Sequence, residues 1–333
     1  MTSNNLKTIN RHLTRCSILL LMIAGIHAIH AQDLYTLGAN KSRSSDDIYL
    51  QTWYFRYISN RREQFWPYEE SADSDWDLGF EAYRYSGDTS DIDFSGRHLI
   101  WKVGRRYSGN SYLQGNFGAH RLDVPDAGGP ENRLTYELNA KISVSPNFDV
   151  SANTSDNYVY HLGLQPAGAL EYLHARQRRA RFNWRPTQRM RISGATSLWN
   201  LSDSNTRRAH HLRFLYGISP AWPWIWAGMS YEKLRYDHAM PGYWTPGDYV
   251  GYNLEFESSF PIFKNLAGSL SGSLSHIKED NNPIGNGDSV AAGVDYKLTD
   301  IVMLRAQASR ISSVQRNSDW SETLYQLSIN GSF

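Results

Sequence analysis

The residues that could do chemistry in this chain are mostly charged or aromatic, and their spacing suits a wetted surface better than a catalytic centre. No G-x-S-x-G and no H-E-x-x-H motif is present. His210 and His211 are adjacent, so on an extended chain they point to opposite faces and cannot share a metal. His161, His174, His238 and His276 stand singly, without ligand spacing. The acidic segment EDNNPIGNGD (279–288) does not match a calcium loop. A Ser, His and carboxylate set would have to converge from separate strands, which spacing alone does not exclude. The expectation is a non-enzyme with no metal and no cofactor.

The charges instead alternate with apolar residues. In RLTYELNAKISV (133–144), Leu134, Tyr136, Leu138, Ala140, Ile142 and Val144 share one face. Arg133, Thr135, Glu137, Asn139, Lys141 and Ser143 share the other. A period of two is a strand with unlike surroundings on its faces. Arg179 and Arg181 oppose Ala180 and Phe182, and Arg191 opposes Met190 and Ile192. Arg213 opposes Leu212 and Phe214, Glu255 and Glu257 oppose Leu254 and Phe256, and Arg305 opposes Leu304 and Ala306. Unpaired charges in a sandwich core would each cost several kcal/mol. Their face therefore meets bulk water or a water-filled lumen. The lumen reading gives a basic wall (Arg179, Arg181, Arg191, Arg213) and an acidic segment (Glu255, Glu257) a few strands away. Two uses stay open: the charges solvate the lumen or pair with one another, or they select a passing solute.

The elements that position these residues are strands and turns. Short turns recur at SPNFD (145–149), WRPTQR (184–189), SPAWPW (219–224), FPIFKN (260–265) and LTD (298–300). Between them lie longer polar stretches: 155–168, 202–208, 234–249, 277–288 and 314–319. Short turns on one side and long loops on the other are the hairpin pattern of a membrane barrel. Upstream, 48–58 and the stretch from Trp76 are strand-like, 32–46 is a weak strand or lead-in, 59–73 a charged connection and 124–132 a loop. The expected fold is all-β, a transmembrane antiparallel β-barrel of about 16 strands, within roughly 14–18. Composition agrees. The 11 Trp, 21 Tyr and 12 Phe suit two aromatic girdles, and a mean hydropathy of −0.54 excludes a helical membrane bundle but not a barrel. With 34 basic and 33 acidic residues no strongly charged partner is implied, and no nucleic acid.

Lys7, Arg11 and Arg15 precede a short apolar run (17–26) that ends near Ala28 and Ala31. This reads as a signal peptide, 1–31, before a barrel of 32–333. Cys16, the single cysteine, precedes the apolar run, so the mature chain has no thiol and no lipidation site. The segment WSETLYQLSINGSF (320–333) places Tyr325, Leu327, Ile329 and Phe333 on one face. It resembles the C-terminal signature of bacterial outer-membrane β-barrels, which closes the barrel and is read by the insertion machinery. One segment breaks phase: Arg176 and Arg178 share parity with Phe182 and Trp184. Arginine at the lipid midplane costs about 2–4 kcal/mol. Either a bulge near Gln177 is expected, or these arginines rise to meet lipopolysaccharide phosphates.

Three stretches resemble the C-terminal barrels of bacterial exopolysaccharide exporters, the cellulose, poly-N-acetylglucosamine and Pel secretion proteins. They are the segment 155–208 with its loop Ser202-Asp203-Ser204-Asn205, the aromatic-Pro loop PGYWTPGDYVGYNLEFE (241–257), and the ending already quoted. The resemblance spans about 153–333. It implies a monomeric outer-membrane channel that exports a polysaccharide chain, with Tyr243 and Trp244 stacking on sugar rings at the exit. In that family the barrel usually follows a periplasmic helical-repeat scaffold. A repeat array is absent here, so either the scaffold is a separate chain or the barrel does another job. The rival readings are a general or selective diffusion porin and a non-transporting receptor barrel.

Overall fold

The computed structural model describes residues 33–45, 48–59, 61–65, 68–72, 76–88, 92–107, 111–159, 172–240, 243–282, 284–315 and 318–332. The expected signal peptide and Phe333 lie outside the described residues. The strands are β1 (Leu34–Ser44), β2 (Tyr49–Ile58), β3 (Arg61–Phe65), β4 (Tyr68–Ala72), β5 (Trp76–Asp88) and β6 (Asp93–Tyr107). They continue as β7 (Ser111–Val124), β8 (Gly129–Ser145), β9 (Phe148–Tyr158), β10 (His174–Thr187), β11 (Met190–Leu201) and β12 (Thr206–Ser219). The last are β13 (Trp224–Tyr236), β14 (Tyr249–Phe263), β15 (Leu266–Glu279), β16 (Gly285–Lys297), β17 (Val302–Gln315) and β18 (Ser318–Ser332). All except β3 and β4 join one closed antiparallel barrel, in chain order, with β18 returning to β1. β3 and β4 form a separate hairpin between β2 and β5.

The alternation read from the sequence decides which side faces out. Leu134 is 83% exposed, Leu274 67% and Leu254 63%, whereas Glu81, Asn116, His120 and Thr135 on the other parity are buried. A soluble protein would bury the first set. A barrel turned toward lipid exposes it as an apolar band and keeps its polar side chains inside. Closure leaves no unpaired edge. The seam pairs Leu34 with Ser332 through to Ser44 with Glu322, and Thr36 Oγ1 donates to Asn330 Oδ1 across it at 2.8 Å.

Short turns fall where the prolines and aspartates place them, at 146–147, 188–189, 220–223, 264–265 and 298–301. The start of β1 and the end of β18 lie on this side, which is the periplasmic side of such barrels. Several sequence expectations need correction. Of the two readings of 32–46 the strand holds, as β1, while the connection 59–73 contains the β3–β4 hairpin. The loop 124–132 contracts to a 3-10 turn at Pro125–Ala127, closed by Gly128 at φ 95°. The left-handed conformation there is open to glycine at little cost. The polar stretch 202–208 gives only a tight turn, and 314–319 is mostly strand. The reason is common to these cases: polar residues signal water, and strands that rise above the membrane also meet water.

Strand tilt is visible in the pairing. The row Ser143–Asp149–Asn183–Ser193–Arg213–Ser230–Asn253–Ser275 begins near the periplasmic end of β8 and ends near the opposite end of β15. Rows of paired residues therefore climb outward as strand number rises, as closure of a tilted sheet requires.

Candidate functional site

The inward parity collects the side chains with chemistry. Glu137 and Lys141 on β8, Arg179 and Arg181 on β10, Arg191 on β11, Arg213 on β12, Glu255 and Glu257 on β14 and Arg305 on β17 all alternate with outward apolar residues. Tyr325, Leu327 and Ile329 face outward at the closing strand.

The acidic segment is not a separate wall. Only β13 lies between Arg213 and the two glutamates, and its inward residues there are small: Gly228 and Ser230. The guanidinium reaches past them. Arg213 Nη2 donates to Glu257 Oε2 at 3.2 Å, and its Nε donates to Glu255. Arg191 Nη1 lies 3.6 Å from Glu257 Oε1 and stacks over the Trp226 ring at 3.8 Å. Arg305 Nε donates to Asp295 Oδ1 at 2.8 Å, and Lys141 Nζ lies 3.6 Å from Asp149 Oδ2. Glu137 accepts from Asn116 and Asn153, both at 2.8 Å. Paired in this way, the charges cancel over a few ångströms and grip a passing solute weakly. Arg179 and Arg181 differ: among the described residues neither has an ion pair.

Half the ring away from β10, on β15–β18 and β1, most inward side chains are uncharged; the exceptions include the Asp295–Arg305 pair and Glu279. Asn40, Gln326 and Gln307 stand side by side on β1, β18 and β17. Ser269, Ser271, Ser273 and Ser275 line β15, and Ser273 Oγ meets Ser289 Oγ at 2.8 Å. These side chains offer donors and acceptors without charge. A cavity of 360 Å³ opens on this wall beside Asn40, Gln307, Gln326 and Ser328, with Arg56 and Arg305 also lining it. A search for charged or catalytic types passes over them; the signal that finds them is the run of serines on one parity.

A second group unforeseen in the sequence surrounds Glu81 on β5. Its Oε1 takes Arg56 Nε at 2.5 Å and Lys102 Nζ at 2.6 Å, and its Oε2 takes the Tyr83 hydroxyl at 2.8 Å. Above it, His98 and His120 stack at 4.3 Å. His120 Nε2 meets the Tyr85 hydroxyl at 2.7 Å, and His98 Nε2 meets Thr135 Oγ1 at 2.8 Å.

The extracellular mouth is narrowed by packed aromatics. Trp199, Leu201, Leu234, Tyr236, Tyr249 and Ile277 form an apolar cluster on the inner wall, and the β13–β14 loop packs onto it through Met240, Tyr243 and Trp244. Asn205 latches that loop: its Nδ2 donates to the His238 carbonyl at 2.9 Å, and its Oδ1 accepts from the His238 amide at 3.1 Å. The expectation that Tyr243 stacks on sugar rings at the exit needs correction, whereas Trp244 is half-buried. Tyr243 is only 3% exposed, and its hydroxyl donates to Asp203 Oδ2 at 2.8 Å. Burial and that hydrogen bond push the hydroxyl well above the usual phenol range. Trp244 donates from Nε1 to Glu279 Oε1 at 2.7 Å and packs edge-on against Tyr249 at 5.2 Å. The pair anchors the loop to the wall. Apolar residues in a long loop mark burial as readily as ligand contact.

Nor is there a bulge near Gln177. β10 pairs without a register shift from His174 to Trp184 against β9, so Arg176 and Arg178 point outward.

No family model matches the chain, and no curated protein matches it. Among solved structures the barrel is similar to a bacterial polysaccharide outer membrane secretin, with TM-score 0.73 and 12% identity over 92% of this chain and 99% of that one. It is also similar to the CymD monoaromatic hydrocarbon channel, with TM-score 0.50 and 10% identity over 92% and 89%. At such identities the likeness concerns the fold, which is that of a multi-pass barrel of the bacterial outer membrane.

Proposed function

We propose that the barrel is a passive channel through which an exopolysaccharide chain leaves the periplasm. The observation that carries this reading is the mostly uncharged hydroxyl and amide wall of β15–β18 and β1, set half the ring from Arg179 and Arg181. A sugar chain offers a hydroxyl at nearly every step. Many equivalent, weak hydrogen-bonding partners let it exchange one for the next without a deep trap, because each protein bond replaces a bond to water. The paired lumen charges keep the path wet and contribute little net attraction. Arg179 and Arg181 make the path tolerant of acidic groups on the polymer. The likeness to a polysaccharide secretin over nearly the whole chain supports the same reading. Deleting the gene leaves polymer in the periplasm; unchanged surface polymer would remove this function.

A second reading, a diffusion porin for small anions, is favoured by the same two arginines, which have no ion pair among the described residues. Planar bilayers separate the two. A porin conducts steadily as purified. An exporter with its mouth loop latched conducts poorly until that loop is removed. A receptor barrel conducts in neither state.

A further inference from the structure

The two outward arginines of β10 stand at the head of a groove. Across four strands, Ala140, Ala152, Ala180 and Thr196 are directly paired and all face outward, so the wall is dented by a row of small side chains. The row above it reads Leu138, Thr154, Arg178 and Leu198. The resulting cavity on the lipid-facing side has a volume of 540 Å³ and is walled by Leu113, Leu138 and Leu198. Arg178 borders it, and Arg176 follows on the same face, one step nearer the extracellular side.

The height of these arginines matters. Rows climb with strand number, so Arg178 sits higher than Leu138, its row-mate on β8. It shares an extracellular belt with Arg84, Arg97 and Arg121, which are paired side by side on β5, β6 and β7 with exposed side chains. Like charges directly opposite on neighbouring strands repel. Such a belt is stable next to an anionic layer. Neither Arg178 nor the three paired arginines has an ion pair among the described residues, while Arg208 has Asp237. Arg176 has one long contact, 3.9 Å to Asp156 Oδ2, and that carboxylate is already held by Arg133 at 2.7 Å. The β10 site therefore combines an apolar slot running down the wall with two cations at its outer end, the complement of an anionic amphiphile. Guanidinium is well matched to phosphate oxygens.

We propose that this groove holds one phosphorylated glycolipid of the outer leaflet, with an acyl chain against the alanine row and a phosphate on Arg176 and Arg178. Purified full-length barrel in detergent, mixed with bis-phosphorylated lipid A, tests this by native mass spectrometry. The wild type retains the lipid. R176Q/R178Q lowers the retained fraction about tenfold, and A152L, which fills the slot, lowers it with both arginines intact. R105Q, at the periplasmic end of β6, leaves it unchanged. Fully dephosphorylated lipid A and inorganic phosphate alone are not retained. Each variant is first confirmed as folded by its heat-dependent gel mobility, with R178Q alone replacing the double variant should that one misfold. Undiminished retention by the arginine or the A152L variant, equal retention of the dephosphorylated lipid, or equal binding of inorganic phosphate would each overturn the proposal.

Discussion

At the scale of single residues, the inner wall owes its character to which charges have partners. Arg213 is held by two glutamates, and removing it leaves Glu255 without its cation and Glu257 with Arg191 alone. R213A is expected to destabilise the barrel by about 1–3 kcal/mol, less than a fully buried pair would because water reaches the site. Urea unfolding in lipid vesicles measures this, and E255Q/E257Q added to R213A should recover part of the loss. Among the described residues, Arg179 and Arg181 of the β10 wall have no ion pair. Under a salt gradient, R179E/R181E should move the reversal potential from anion toward cation preference, since lumen charges set selectivity. An unmoved potential would place both side chains outside the conducting path. The inward parity of these residues was legible in the sequence. Their pairing was not, because alternation gives the face of a residue and not its neighbours across strands. That Arg213 reaches Glu255 depends on Gly228 and Ser230 lying between them, a fact of register.

At the scale of elements, the β13–β14 loop packs onto the inner wall at the mouth. It is tied down by Asn205 on one flank and by Glu279 on the other. N205A leaves the His238 amide and carbonyl without these partners, a loss of roughly 1–3 kcal/mol in local stability. Single-channel recordings should then show longer or more frequent openings, and deletion of 238–248 should show a persistently larger conductance. Recordings identical to the wild type would mean that the loop does not control passage. Proline, glycine and aromatic residues marked this segment as a loop, but they could not show that it folds inward. The short turns were read more reliably, since a two- or four-residue turn is set by local chemistry. The polar tops of the strands were mistaken for loops because water, not secondary structure, dictates their composition.

At the scale of the whole molecule, alternation, turn rhythm and the closing segment near Tyr325 pointed to one architecture, and the pairing of β18 with β1 completes it. The mostly uncharged wall was hidden because serine, asparagine and glutamine on one parity look unremarkable strand by strand. It emerges only when the ring closes and Asn40, from the first strand, meets Gln326 from the last. The central claim is that a polymer passes along this wall. Q307W/Q326W narrows the lumen there without touching an ion pair, and it is tested in cells that make the polymer. With the variant folded and present at wild-type level, the account predicts polymer lost from the surface and accumulated in the periplasm. Surface polymer equal to the wild type would contradict it.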